Sequence, residues 1–170
     1  MSDAEKTKSG GDNQFLTFSL SDHLFGIDIL DVKEILEYGG ITRIPLVPDY
    51  IRGVLNLRGN VVPVIDLKAR FDWGTSEESK LTCIVIVEAS ADNETTELGI
   101  MVDAVNEVSN LSEDEIQATP NFGAKIRLDF ISSIGKKDDK FVIILDVDNV
   151  LSIEELSQLN ESLQTVAEKD

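Results

Sequence analysis

Apolar and polar residues alternate in short runs along most of this chain, and turn residues rather than long amphipathic stretches separate the runs. Leu16, Phe18 and Leu20 alternate with Thr17 and Ser19, and Phe25, Ile27 and Ile29 alternate with Gly26 and Asp28. Joined at Ser21-Asp22-His23, the two runs predict a hairpin whose order begins at Phe15. The next segment changes period. Asp31 is a good N-cap with Glu34 three residues on, and Val32, Ile35 and Leu36 share one helical face, so a short helix is predicted over residues 31–38, ended by Gly39-Gly40. Residues 41–50 carry Pro45 and Pro48 and read as extended.

A second hairpin, over residues 53–67, organises the chain. Its predicted two-residue turn is Gly59-Asn60, which sets Arg58 opposite Val61, Leu57 opposite Val62, Asn56 opposite Pro63 and Leu55 opposite Val64. One face then carries Leu55, Leu57, Val62 and Val64 and reads as core. The other, with Val54, Asn56, Arg58, Val61, Pro63 and Ile65, suits a partner. Pro63 predicts an edge strand or a bulge. Asp66 is expected to cap one or two helical turns through Phe71, followed by a polar connection over 75–80.

The pattern then restarts. Residues 81–87 form a nearly unbroken apolar run, as in a strand covered on both faces, with 98–102 as its partner across a polar loop at 89–96. Further strands are predicted over 105–111, 130–134 and 141–147, with a bend at Asp103-Ala104, a capped turn over 112–117, a loop at 120–123 and a polar turn at 135–140. Ser152 with Glu155 forms a capping box, and Ile153, Leu156, Leu159 and Leu163 line one face of a terminal helix. No short repeat is present, but the element order looks doubled. Two small β-barrels sharing a boundary and a single β-sandwich both fit this pattern.

Composition narrows the function more than the fold. At 170 residues the chain holds one ordinary domain or two very small ones. A formal charge of −17 argues against nucleic acid and anionic membrane surfaces. The single Cys83, a start without an apolar stretch, and apolar runs far below the ~20 residues of a membrane span all predict a soluble, intracellular protein. Catalysis finds little support: His23 is the sole histidine and falls in a turn, Cys83 lies in an apolar strand, and no Gly-rich phosphate loop opens a helix. Glu113-Asp114-Glu115 lacks the spacing of a calcium loop, so no metal and no cofactor are expected.

Residues 15–29 (FLTFSLSDHLFGIDI), 32–35 (VKEI), 41–45 (ITRIP) and 51–67 (IRGVLNLRGNVVPVIDL) resemble the CheW-type chemotaxis coupling proteins, as do 98–105 (LGIMVDAV) and 131–135 (ISSIG) in the second half. The resemblance spans about residues 15–156, and its specific motif is 56–67. It implies a mainly β fold of two five-stranded SH3-like β-barrel subdomains, with short helices and a C-terminal helix, related by a pseudo-twofold. On this reading residues 1–13 are a disordered tail, 14–157 one CheW-like domain and 158–170 the end of the terminal helix or a tail. The implied function is that of an adaptor without catalysis, cytoplasmic and recruited to membrane receptor arrays. It would couple the cytoplasmic tips of methyl-accepting chemoreceptors to the regulatory domain of a CheA-type histidine kinase.

The resemblance places receptor binding in a groove between the barrels, at Val32, Glu34, Ile35, Arg58, Val102 and Val105, and kinase binding at Ile134 and Gly135. Each residue also has an ordinary reading. Arg58 is a surface arginine beside a turn, Glu34 a capping-box partner, Val32 and Ile35 helix core, Val102 and Val105 strand core, and Gly135 a turn glycine. Rival functions are the scaffold of another sensory array (surface motility or biofilm), a kinase's own regulatory domain, and a small-molecule-binding β-barrel. The polar start and the terminal helix favour a free-standing adaptor.

Overall fold

The computed structural model of the chain describes residues 12–45, 47–71, 73–74, 77–91, 94–117, 130–150 and 155. Along them run β1 (Asp12–Leu20), β2 (His23–Asp28), β3 (Val32–Glu37), β4 (Ile51–Leu57), β5 (Asn60–Asp66), the short helix α1 (Leu67–Arg70), β6 (Cys83–Ala91), β7 (Glu94–Val102), β8 (Ala104–Ser112), β9 (Ile116–Gln117), β10 (Ile131–Lys137) and β11 (Lys140–Leu145). Turns of 3-10 helix lie at Ile29–Asp31, Glu113–Glu115 and Val147–Asn149. The expected terminal helix, the loop at 120–123 and most of the N-terminal tail fall outside the described residues, apart from Glu155, which is helical.

The strands form two sheets, ordered β8-β1-β2-β11-β10-β9 and β3-β6-β7-β5-β4. The doubling expected from the element order is an exchange between them. The first half of the chain gives the hairpin β1–β2 to the six-stranded sheet, then crosses over and gives β3 and the hairpin β4–β5 to the other. The second half does the reverse with β6–β7, then β8 and β10–β11. Each sheet is joined across its middle by one parallel pair, β2–β11 or β5–β7. The mainly β, two-subdomain expectation holds. Among the described residues the sheets have six and five strands, and the ladders within them do not run round into closed barrels.

The edges of each sheet nevertheless come together. Just past β3, Thr42 exchanges two backbone hydrogen bonds with Val54 on β4, the opposite edge, at 2.9 and 2.8 Å. In the six-stranded sheet, Leu111 of β8 lies against Gly135 of β10. This curling gives each sheet a small core of its own: Leu55, Val62, Val64, Ile84, Ile86 and Met101 in one, Phe15, Leu111, Val142 and Ile144 in the other. The alternate positions of the same strands meet in a common core between the sheets. Leu16, Phe18, Phe25, Ile27, Ile65, Val85, Val87, Leu98 and Ile100 all lie there. A stack of rings through Phe18, Phe25, Phe71 and Phe130 runs along it, at centroid separations of 5.6–5.8 Å. Each such side chain contributes roughly 1.5–3 kcal/mol on burial. The unbroken apolar run in β6 follows directly: Ile84 and Ile86 face one core, Val85 and Val87 the other.

Two sequence expectations are corrected. Residues 32–37 are a strand, not a helix. Val-Lys-Glu-Ile-Leu-Glu satisfies either period, and an isolated helix of that length is marginal in water, whereas pairing with β6 supplies a ladder and buries Leu36 against the small core. In the second hairpin the turn is Arg58-Gly59, both with positive φ (+53° and +85°), and Asn56 Oδ1 accepts the Gly59 N–H at 3.0 Å. Leu57 therefore pairs with Asn60, Leu55 with Val62 and Val54 with Pro63. The faces are unchanged, because odd positions still meet even ones. The partner-facing side, though, is buried along its inner half, where Ile51 and Ile65 reach the common core. Pro63 lies on an interior strand: it sits opposite Val54, whose N–H and C=O both turn outward to Thr42, so its own missing N–H faces β7, where the parallel pairing begins one residue later, at Val64. The bulge is on β4, between Ile51 and Gly53. Smaller shifts extend strands at their ends. β1 begins at Asp12, and β6 and β7 run on to Ala91 and Glu94 through the expected loop.

At Gly53 (φ +153°) an added Cβ would fall on the Thr42 carbonyl oxygen and the Ile41 side chain, whereas at Gly59 it would meet open space. Gly53→Ala is expected to destabilise the fold by roughly 2 kcal/mol or more, and Gly59→Ala by about 1 kcal/mol from its positive φ alone. Urea denaturation of the two variants checks the order.

The crossing from β2 to β3 passes through the turn Ile29–Asp31, capped by Asp28, whose Oδ1 accepts the Leu30 N–H at 2.9 Å. Partial burial, then the charges of Asp28, Asp148, Asp146 and Glu88, push the Asp31 carboxyl up to about 6. A carboxyl whose folded value is raised contributes stability below its ordinary range near 4 and loses it as pH rises through about 6. Asp31→Asn is therefore expected to leave stability unchanged near pH 4. At pH 7.5 it should raise stability, by on the order of 1 kcal/mol after solvent screening. Thermal melts at the two pH values read the difference.

Candidate functional site

The turn of the β4–β5 hairpin holds Arg58 in the left-handed region, and its side chain reaches across to β3, the far edge of the five-stranded sheet. There Arg58 Nη2 lies 2.7 Å from Glu34 Oε1, with the arginine side chain 70% exposed and the glutamate 27%. An exposed ion pair contributes only about 0.2–1 kcal/mol, too little to hold two edges together. The Thr42–Val54 bonds and the packing of Leu36, Tyr38, Ile41 and Leu57 do that. The pair is thus held in place by the fold without being needed for it, and the guanidinium remains open to solvent. Glu34 is not a helix cap, since no helix is there.

Cross-strand partners share a face, so register locates the neighbouring apolar residues. Ile35 pairs with Val85, and Val32 with Val87, both members of the common core. Yet β3 is the outer strand, so Ile35 stands on the core-facing side and is 44% exposed among the described residues. The six-stranded sheet repeats this on its own outer strand. Val105 pairs with Phe18 and Val108 with Leu16, again both in the common core, and Val108 is 46% exposed. Val32 and Val105 are half-buried against that core. Each sheet therefore ends in an apolar rim on the side that faces the other sheet, and the internal exchange makes the two rims equivalent.

Of the residues named from sequence, the structure joins Arg58 with Glu34 and places Val32, Ile35 and Val105 on the two rims. Three others do not sit at a surface. Val102 is wholly buried in the common core, because β7 is an interior strand. Ile134 is buried beside Ile131, Trp73 and Ile143. Gly135 lies in β10, not in a turn, and its missing side chain makes room for Leu111. The turn of that hairpin is Asp138-Asp139, and its exposed apolar residue is Phe141. Sequence reasoning missed Val108, since a bulge in the β1–β8 register between Leu16 and Phe18 breaks the alternation that would have aligned it with Val105.

Other candidate chemistry is accounted for locally. His23 is exposed, with its ring against Trp73. The Cys83 thiol donates to the Leu81 carbonyl, and Glu115 accepts the Ser112 N–H and hydroxyl at the start of a 3-10 turn. Among the described residues no group of three His, Cys, Asp or Glu side chains could hold a metal ion, and no helix is long and apolar enough to cross a membrane.

Comparison with known proteins agrees with this arrangement. Residues 14–155 match the family model for the CheW-like domain. The chemotaxis protein CheW of Klebsiella aerogenes is 36% identical over 145 residues, covering 85% of this chain and 84% of that protein. CheW of Bacillus subtilis is 35% identical over 141 residues, covering 83% and 88%. The crystal structure of the scaffolding protein TtCheW from Thermoanaerobacter tengcongensis superposes with a TM-score of 0.76 at 38% identity, covering 85% of this chain and 95% of that one. An exchanged pair of β sheets, an arginine-tipped hairpin and these matches along nearly the whole described chain lead to one conclusion: the chain belongs to the CheW-like domain family.

Proposed function

We propose that this chain is a chemotaxis scaffold, cytoplasmic and without catalysis of its own, that couples the tips of methyl-accepting chemoreceptors to the regulatory domain of a CheA-type histidine kinase. The observation that carries the reading is the outer strand β3 in a protein of this family: one face presents the open Arg58 guanidinium paired to Glu34, and the other the half-exposed Ile35. A receptor helix fits such a surface. Apolar side chains at helical spacing meet the rims at Ile35 and Val108, and the five donors of the Arg58 guanidinium meet the helix's polar face. Because the Arg58–Glu34 pair is weak, exchanging it for receptor contacts costs little. On the kinase side, Phe141, 61% exposed, is the apolar residue of β10–β11 open to a partner, whereas Ile134 and Gly135 are buried.

Signalling through such a scaffold is geometric. Holding receptor and kinase together raises their effective concentration and fixes their orientation. A receptor change then biases the kinase to the extent that contacts differ between its two states.

Three substitutions test this reading. Arg58→Ala and Val108→Asp are each expected to weaken co-sedimentation with receptor fragments by about tenfold or more, with unchanged circular dichroism, because neither side chain is structural. Val102→Ala should do the opposite, lowering stability by about 2 kcal/mol and leaving affinity for receptor unchanged in the folded protein. Full receptor binding by both surface variants would remove the rims and the arginine from the interface.

A further inference from the structure

Arg70, the last residue of α1, takes no part in the surface just described, and its surroundings come from every quarter of the chain. Its side chain is 7% exposed. Nε donates to the Val150 carbonyl at 2.7 Å, while Nη1 and Nη2 donate to the two oxygens of Glu155 at 2.8 and 2.7 Å, a bidentate pair. The guanidinium carbon lies 4.6 Å from the Tyr50 ring centroid and 4.9 Å from that of Phe130. The Tyr50 hydroxyl donates to Glu155 as well, at 2.8 Å. These partners belong to different halves of the fold. Arg70 follows β5 and Tyr50 precedes β4, in the five-stranded sheet. Phe130 precedes β10, and Val150 follows β11, in the six-stranded one.

We propose that Arg70 is a clasp on the seam between the two sheets: it pins the chain at Val150 and Glu155 across that seam and so sets the orientation of one subdomain relative to the other. A scaffold that positions two partners needs a fixed angle between its halves, and the common core alone supplies adhesion without direction, because apolar contacts are not directional. A planar guanidinium satisfied along its edge and covered by aromatic rings has one geometry. The Tyr50 hydroxyl is tied into it; burial and then the hydrogen bond to Glu155 push its ionisation up to about 12. A pair with one buried member, Arg70, and one partly exposed, Glu155, is a weak source of net stability and a strong constraint on position, since breaking it leaves the buried guanidinium without its carboxylate.

Amide hydrogen exchange on the full chain separates a clasp from a plain stabilising contact. Two backbone bonds report on the two sides of the seam: the Asp66 amide donates to the Tyr50 carbonyl, and the Asp146 amide donates to the Phe130 carbonyl, both at 2.8 Å. In Arg70→Lys, which keeps the charge and loses the fork, both amides are expected to exchange about tenfold faster or more, while Val85 and Ile100 in the β6–β7 ladder stay within about twofold. Glu155→Gln should reproduce the pattern, and the double variant should be no faster than Arg70→Lys alone. If Arg70→Lys does not fold, Glu155→Gln carries the test. Unchanged exchange at either reporting amide would overturn the proposal, and so would equal acceleration in the ladder, which marks global loosening.

Discussion

Burial of strands on two faces at once is the constraint from which the rest of this molecule follows. Each interior strand sends alternate residues into its own sheet's small core and into the common core, so Ile84 and Val85, one residue apart, serve different packing layers. Neither sheet can shed its apolar inner face to water, and neither half of the chain builds a sheet alone, because each lends one hairpin, β1–β2 or β6–β7, to the sheet whose other strands come from the other half. The two subdomains are therefore a single cooperative object despite their separate small cores.

Surface chemistry appears where this double burial runs out. Among the described residues, the core-facing side is left half-exposed on outer strands, at Ile35 on β3 and Val108 on β8. Curling brings the two edges of the five-stranded sheet close enough for Arg58 to reach Glu34. Backbone bonds at Thr42 and Val54 fix that closure, so the ion pair is left free of structural duty.

Charge is distributed by the same logic. The chain has 15 basic residues against 32 acidic ones, and several of the basic side chains stand where segments meet. Lys68 on α1 lies 3.6 Å from Asp103 at the β7–β8 bend, whose carboxylate also accepts the Ser21 N–H of the β1–β2 turn. Arg52 reaches the buried Asp66, and Arg70 the Val150 carbonyl and Glu155. Around Asp31, even with Lys33 paired to Glu88 at 3.3 Å, partial burial and the neighbouring acids hold the carboxyl up to about 6. The pairs at the seams fix position, and the core fixes adhesion.

Strand content, the doubled order, the hairpin over 53–67 and the family were legible in the residues themselves, because alternation and the 56–67 motif are local signals; the turn was not, since it takes in Arg58-Gly59 rather than Gly59-Asn60. Residues 32–37 were not legible in the same way. Their pattern admits helix and strand alike, and only the unpaired edge of β6, supplied from some fifty residues away, decides between them. Nor could local pattern tell that Val102, Ile134 and Gly135 are interior while Val108 is half-exposed, since a residue's exposure depends on which strand ends up outermost and on one bulge in register. Sequence by itself determined which segments become strands and which faces of them are apolar. Tertiary structure alone decided which of those faces are covered, because coverage is a property of pairs of strands distant in the chain.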